Sequence, residues 1–149
     1  MILPHDMLVL TVNGQNARLL RNIGSATDPR FDIVAERHVE NPPDRELVAD
    51  RPGRAFASGA PNRHAYQEAS AHDRNEMMFA LEALELLDLA DEGSGPLVLI
   101  APPPTLGTLR TKGPAKYRDR FTHEINKDLN AYRPEQIGAF LAGYEPRER

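Results

Sequence analysis

Asn13-Gly14 constrains the fold more than any other feature of the chain. Before it, Asp6 to Val12 carries Leu8, Val9, Leu10 and Val12; after it, Ala17 to Ile23 resumes as a second extended run. Asn and Gly both tolerate the positive φ of a tight two-residue turn, so the pair predicts an antiparallel hairpin. Gly24 to Arg30 follows as a loop, with Asp28-Pro29 as its turn signal. Phe31 to Val39 predicts a third strand, with Phe31, Ile33 and Ala35 alternating against Asp32, Val34 and Glu36. The opening third therefore reads as an antiparallel meander.

Beyond it, Asn41 to Tyr66 shows no periodicity and predicts a long loop, more mobile than the core. Helix is expected from about Ser70, where Ser70 and Asp73 approach a capping box, to Ala90. Met77, Ala80, Leu81, Leu84 and Leu87 form its apolar face, and Glu82, Glu85 and Asp88 the opposite one. Leu97 to Ala101 is a short continuous apolar run, which suits a strand buried on both faces. Pro102, Pro103 and Pro104 then form a rigid strand-to-helix turn. That turn lies at the carboxyl end of a strand, where open α/β sheets bind ligands. Thr105 to Lys112 and a restart after Gly113-Pro114 predict short helices, and Pro134 opens a last one with Ile137, Phe140 and Leu141 inward. Phe121 to Leu129 fits either a helix or a strand by spacing alone. The reading is one α/β domain over 1–144, a mixed sheet with helices packed on it, followed by a charged tail at 145–149.

Composition narrows the function classes. The 149 residues carry a formal net charge of -4. The absence of cysteine excludes disulfides and thiolate chemistry. No apolar run approaches the roughly 20 residues of a membrane span. The start, MILPHDMLVL, lacks the basic region and cleavage site of a secretory signal. These features predict a cytoplasmic protein with no membrane partner. His5, His38, His64, His72 and His123 form no metal-ligand spacing, and GxSxG, the phosphate loop and GxGxxG are all missing. No metal, cofactor or catalytic constellation is expected from such a pattern.

The charge is unevenly spread. Arg51 to Tyr66, RPGRAFASGAPNRHAY, holds three arginines and a histidine without an acid. Local positive charge of this kind suits phosphate or nucleic-acid contact. The plainer account pairs the arginines with Asp44, Glu46 and Asp50.

Several segments together resemble the bacterial host attachment protein family. They are DRPGRAFASG at Asp50 to Gly59, Arg63-His64-Ala65-Tyr66, His72 with Phe79, LVLIAPPPTLGTLR at Leu97 to Arg110, and NKDL at Asn126 to Leu129. That family is similar in turn to the central domain of archaeal and eukaryotic peptide-chain release factors. There, three strands lead into a loop carrying Gly-Gly-Gln, which reaches the peptidyl-transferase centre, and a long helix follows. The resemblance implies a release-factor-like fold, a strand within Phe121 to Leu129, and Arg51 to Tyr66 in the slot of that loop. Gly-Gly-Gln itself is missing, and Gln67 lies just beyond the segment without flanking glycines.

Three functions follow. In the first, a cytoplasmic protein contacts RNA or the ribosome: Arg51, Arg54 and Arg63 meet phosphates, Phe56 and Tyr66 stack on bases, and His64 hydrogen-bonds. In the second, a peptidyl-tRNA or related ester hydrolase uses His64, His72 or Gln67 to position water. In the third, the arginines rim a protein-interaction surface around Phe56 and Tyr66. His72 also has a purely structural reading, as a solvated or capping residue in the first turn of its helix.

Overall fold

The computed structural model describes residues 1–40, 61–90 and 96–146, with the backbone alone for 61–70. The meander forms as β1 (Leu8–Val12), β2 (Asn16–Asn22) and β3 (Phe31–His38). Its first strand starts later than expected, because Asp6 takes a left-handed φ of 68° and turns the chain. The hairpin corner also differs from expectation. Asn13 N–H bonds the Asn16 carbonyl, which leaves Gly14 and Gln15 at the corner. Neither Asn13 nor Gln15 has a positive φ. The turn is held instead by Asn13 Oδ1, which accepts from the N–H groups of Gln15 and Asn16 at 2.8 and 2.7 Å.

β4 (Leu97–Ala101) and β5 (His123–Asn126) complete a mixed sheet in the order β3-β2-β1-β4-β5. β1 runs antiparallel to β2 and parallel to β4, and β4 runs parallel to β5. Every residue of β1 and β4 is buried, as continuous apolar strands at the centre of a two-sided sheet should be. The strand reading of Phe121 to Leu129 holds, over its middle residues.

The alternation expected for β3 breaks at a bulge. Leu19 pairs with Ala35 and Leu20 with Ile33, so Val34 has no partner opposite it. The extra residue switches the strand between faces. Phe31 packs with Leu20, Ile137 and Leu141 on one side of the sheet, whereas Ala35 packs against the core on the other. On this edge strand Ile33 and Val34 are both largely exposed.

Helix α1 (Pro61–Ala83) begins well before Ser70. Pro61 is its first residue, a position where the missing N–H of proline costs nothing. Ser70 and Asp73 are therefore interior to the helix and cap nothing. The segment 61–66 is helical, which corrects the expectation of a loop through Tyr66; the rest of that loop, 41–60, lies outside the described residues. From Leu84 to Leu89 the helix tightens to 3₁₀ geometry. Phe79, Ala80, Ala83, Leu84 and Leu87 cover one face of the sheet together with Leu106 and Leu109 of α2 (Pro103–Lys112) and Tyr117 of α3 (Ala115–Arg118). Met77 and Leu81, expected inward, are only half-buried. On the other face, Leu3, Leu129 and α4 (Pro134–Ala142) cover Met7, Val9, Val98, Ile100 and Ile125. Gln136 Oε1 accepts the Arg133 N–H at 2.9 Å and fixes the start of α4. Of the charged tail, 147–149 lies outside the described residues.

Candidate functional site

Because β1, β4 and β5 are parallel, their carboxyl ends gather at one edge of the sheet. The chain leaves this edge through the Asn13 turn, Pro102 and the Lys127–Asn130 turn. Side chains bind these exits together. Asn13 Nδ2 donates to the Asp128 carboxylate at 3.2 Å. Asp128 Oδ1 accepts the Asn130 N–H at 3.1 Å, and the fully buried Thr11 donates from Oγ1 to Asn130 Oδ1 at 3.1 Å. Next to them Arg18 of β2 donates to the Leu129 carbonyl at 3.0 Å. Its Nε is buried without a partner among the described residues. Burial lowers the pKa of this guanidinium, and the nearby Glu36 carboxylate partly offsets that.

Helix α1 crosses the same edge. Glu76 lies directly over Gly14, so that a Cβ there would sit 2.5 Å from Glu76 Cγ and Cδ. A side chain at this corner would therefore displace the Glu76 side chain, and no left-handed φ is involved. One turn earlier on α1, His72 Nε2 lies 3.0 Å from Glu76 Oε1. Beside this pair a cleft of about 380 Å³ opens between α1 and the start of α2, lined by Asp73, Glu76, Met77, Pro104, Thr105 and Thr108. Among the described residues no group of three or more His, Asp or Glu side chains is placed to hold a metal ion. None of the helices is long and apolar enough to cross a membrane, again among the described residues.

The residues expected at the site divide into three sets. Arg51, Arg54 and Phe56 lie outside the described residues. Arg63, His64, Tyr66 and Gln67 lie in the first turns of α1, described by backbone alone. Positions 63, 66 and 67 share one side of that helix by their i, i+3, i+4 spacing. The helix from Pro61 to His72 extends about 16 Å, at about 1.5 Å per residue. His72 is the one whose side chain is described: it is half-buried, in the body of α1 rather than its first turn, and held by Glu76. Sequence reasoning did not pick out Glu76, Thr11, Asn13, Asp128, Asn130 or Thr105. The i, i+4 spacing of His72 and Glu76 is a local signal for that pair; Thr11 meets Asn130, and Asn13 meets Asp128, only through the strand order.

A sequence profile of the bacterial archaeo-eukaryotic release factor family 12 matches residues 6–141. No curated protein matches the chain. The profile runs from the turn before β1 through α4, and so covers both the carboxyl-end edge and the segment between β3 and α1. With that extent of match, the chain belongs to the bacterial archaeo-eukaryotic release factor family 12.

Proposed function

We propose that this protein acts in translation, contacting RNA or the ribosome through the basic segment Arg51 to Tyr66. One observation carries the reading. An acidic chain concentrates three arginines and a histidine, with no acid, in Arg51 to Tyr66, whose last six residues open α1. Membership of a release-factor family supports it, since the release-factor loop follows the third strand and precedes the long helix. Arg51, Arg54 and Arg63 neutralise phosphates, and Phe56 and Tyr66 supply stacking surfaces. An effect on host attachment would then be indirect, through translation. The test is RNA binding as a function of salt, with Arg51→Ala, Arg54→Ala and Arg63→Ala combined. Each lost phosphate contact reduces the salt slope by roughly one unit while the melting temperature stays nearly unchanged. Binding of RNA by the triple variant as by the parent ends the reading, and unfolding of the variant makes the arginines structural.

A second reading, ester hydrolysis, draws on the His72–Glu76 pair, in which a carboxylate orients an imidazole. Without Gly-Gly-Gln the expected outcome is no measurable peptidyl-tRNA turnover. Clear turnover that His72→Ala abolishes would put this reading ahead of the first.

A further inference from the structure

We propose that β3 is a self-pairing edge, along which a second copy of this chain joins antiparallel across a two-fold axis to make one continuous sheet. The pairing is independent of the RNA reading above. Three observations converge on it.

The first is the edge itself. β3 stands last in the sheet order and has a strand, β2, on one side only. Apart from Phe31 and the half-buried Ala35 its residues are exposed, Ile33 and Val34 among them. The Ile23 N–H bonds the Arg30 carbonyl at one end of the pairing with β2, and the Val39 N–H bonds the Gln15 carbonyl at the other. Arg30 and Val39 thus turn backbone groups toward β2. Counting inward from both ends by the alternation of an antiparallel ladder, Phe31, Ile33, Glu36 and His38 turn theirs to the side without a strand. Such a row of donors and acceptors is a template for another strand.

The second is the bulge. Asp32 and Arg37 are an odd number of residues apart, and in an unbroken strand they would lie on opposite faces. With Val34 as the extra residue, Asp32 stands opposite Arg21, and Arg37 stands opposite Ala17. Ala17, Leu19 and Arg21 share one face of β2 by their period-two spacing, so Asp32 and Arg37 share that face as well.

The third is charge complementarity in one register. A two-fold axis perpendicular to the sheet reverses the strand and keeps each face. When that axis passes between Val34 and Ala35, at the middle of β3, Phe31 of one copy meets His38 of the other, and Ile33 meets Glu36. All of these turn backbone groups outward, so each exchanges N–H and C=O with the residue opposite. Asp32 meets Arg37 between them, at a position without backbone bonds, where facing side chains come closest. The symmetry makes this opposite-charge pair twice. Among the described residues Arg37 donates from Nη1 alone, to the Glu82 carbonyl at 3.1 Å, so its other N–H groups are available to a carboxylate. A shift of the register by one residue sets outward backbone groups against inward ones, and a shift by two separates Asp32 from Arg37. Charges on an edge strand usually oppose pairing. Here their order selects one closed dimer, because each copy has a single β3 edge to offer.

The experiment is sedimentation velocity of the full-length protein from low micromolar to hundreds of micromolar, with melting temperatures measured alongside. The parent is expected to pass from monomer to dimer over this range. Asp32→Arg sets an arginine against Arg37 twice, and Arg37→Asp sets an aspartate against Asp32 twice. Each alone should weaken the dimer about tenfold or more. Mixed in equal amounts, the two variants should associate as the parent does, because both cross-strand pairs are then of opposite charge again. Asp32→Arg leaves the Arg37 bond to Glu82 in place, so it decides the matter by itself if Arg37→Asp does not fold. A parent that stays monomeric throughout, a dimer that Asp32→Arg leaves unchanged, or two folded variants whose mixture does not associate overturns the proposal.

Discussion

Replacing Tyr117 by Phe removes one oxygen from a contact that fastens the short helix α3 to the body of the protein. Four residues cannot hold a helix by themselves, so α3 depends on its anchors. Tyr117 is 5% exposed, and its hydroxyl donates to Asp88 Oδ2 at 2.7 Å across to the 3₁₀ segment. A hydrogen bond to a charged group contributes about 1.5–3 kcal/mol. Asp88 is exposed and regains water when the bond is lost, which brings the expected cost of Tyr117→Phe to about 1–1.5 kcal/mol. For a chain of this length that lowers the melting temperature by about 3–5 °C. The bond to Asp88, then burial, raise the pKa of the Tyr117 phenol, with Lys116 pulling the other way. The sign follows from linkage: a raised folded pKa holds the proton in the native state while the unfolded phenol ionises near pH 10. The contribution is therefore complete below about pH 10 and is lost as pH climbs toward the folded pKa. Urea unfolding of parent and variant in parallel, at pH 7 and at several values above 10, reads both effects. The chain's other tyrosines are common to both proteins and cancel. A stability gap near zero at pH 7, or one that does not shrink above pH 10, refutes the reasoning.

Thr11→Val keeps the shape of a fully buried residue but strands Asn130 Oδ1, and should cost about 1–2 kcal/mol by chemical denaturation. Two glycine substitutions should move stability in opposite directions in the same assay. At Gly107, inside α2, an added Cβ meets nothing within 4 Å, so Gly107→Ala should stabilise by about 0.5–1 kcal/mol. At Gly24 it would lie 2.2 Å from the Asp28 carbonyl oxygen, a backbone atom, and Gly24→Ala should destabilise by about 2 kcal/mol or more.

Local signals in the chain were enough for the order of elements apart from β5, which spacing alone left open between helix and strand. Continuous apolar runs at Leu8–Val12 and Leu97–Ala101 marked the two central strands, and prolines marked the starts of α2 and α4. Where the reading went astray, a local signal had two physical outcomes. Pro61 breaks a helix when it lies inside one and starts a helix when it stands first; the loop reading took the first outcome and the chain takes the second. Asn13-Gly14 marked a real hairpin, but the turn is held by the Asn13 side chain, and the Glu76 side chain lies directly over Gly14. Nothing in Phe31 to His38 announced the bulge at Val34, since period-two alternation is blind to one inserted residue.

The candidate site divides the same way. Charge is a property of composition, so the basic segment was already determined by the order of residues, whereas the entry of its last six residues into α1 was not. The rigid proline turn after Ala101 was determined by that order too. The carboxyl-end edge was not, because its members stand far apart along the chain: Thr11 with Asn130, Asn13 with Asp128, and Glu76 over Gly14. Hydrogen bonds of a few ångströms between such residues depend on the order β3-β2-β1-β4-β5 and on the parallel pairing of β1, β4 and β5, which bring three strand ends to one side. Burial is likewise a tertiary property. A threonine three residues into a helix is ordinary in sequence; only the tertiary packing makes Thr105 a largely buried residue at the wall of a cleft.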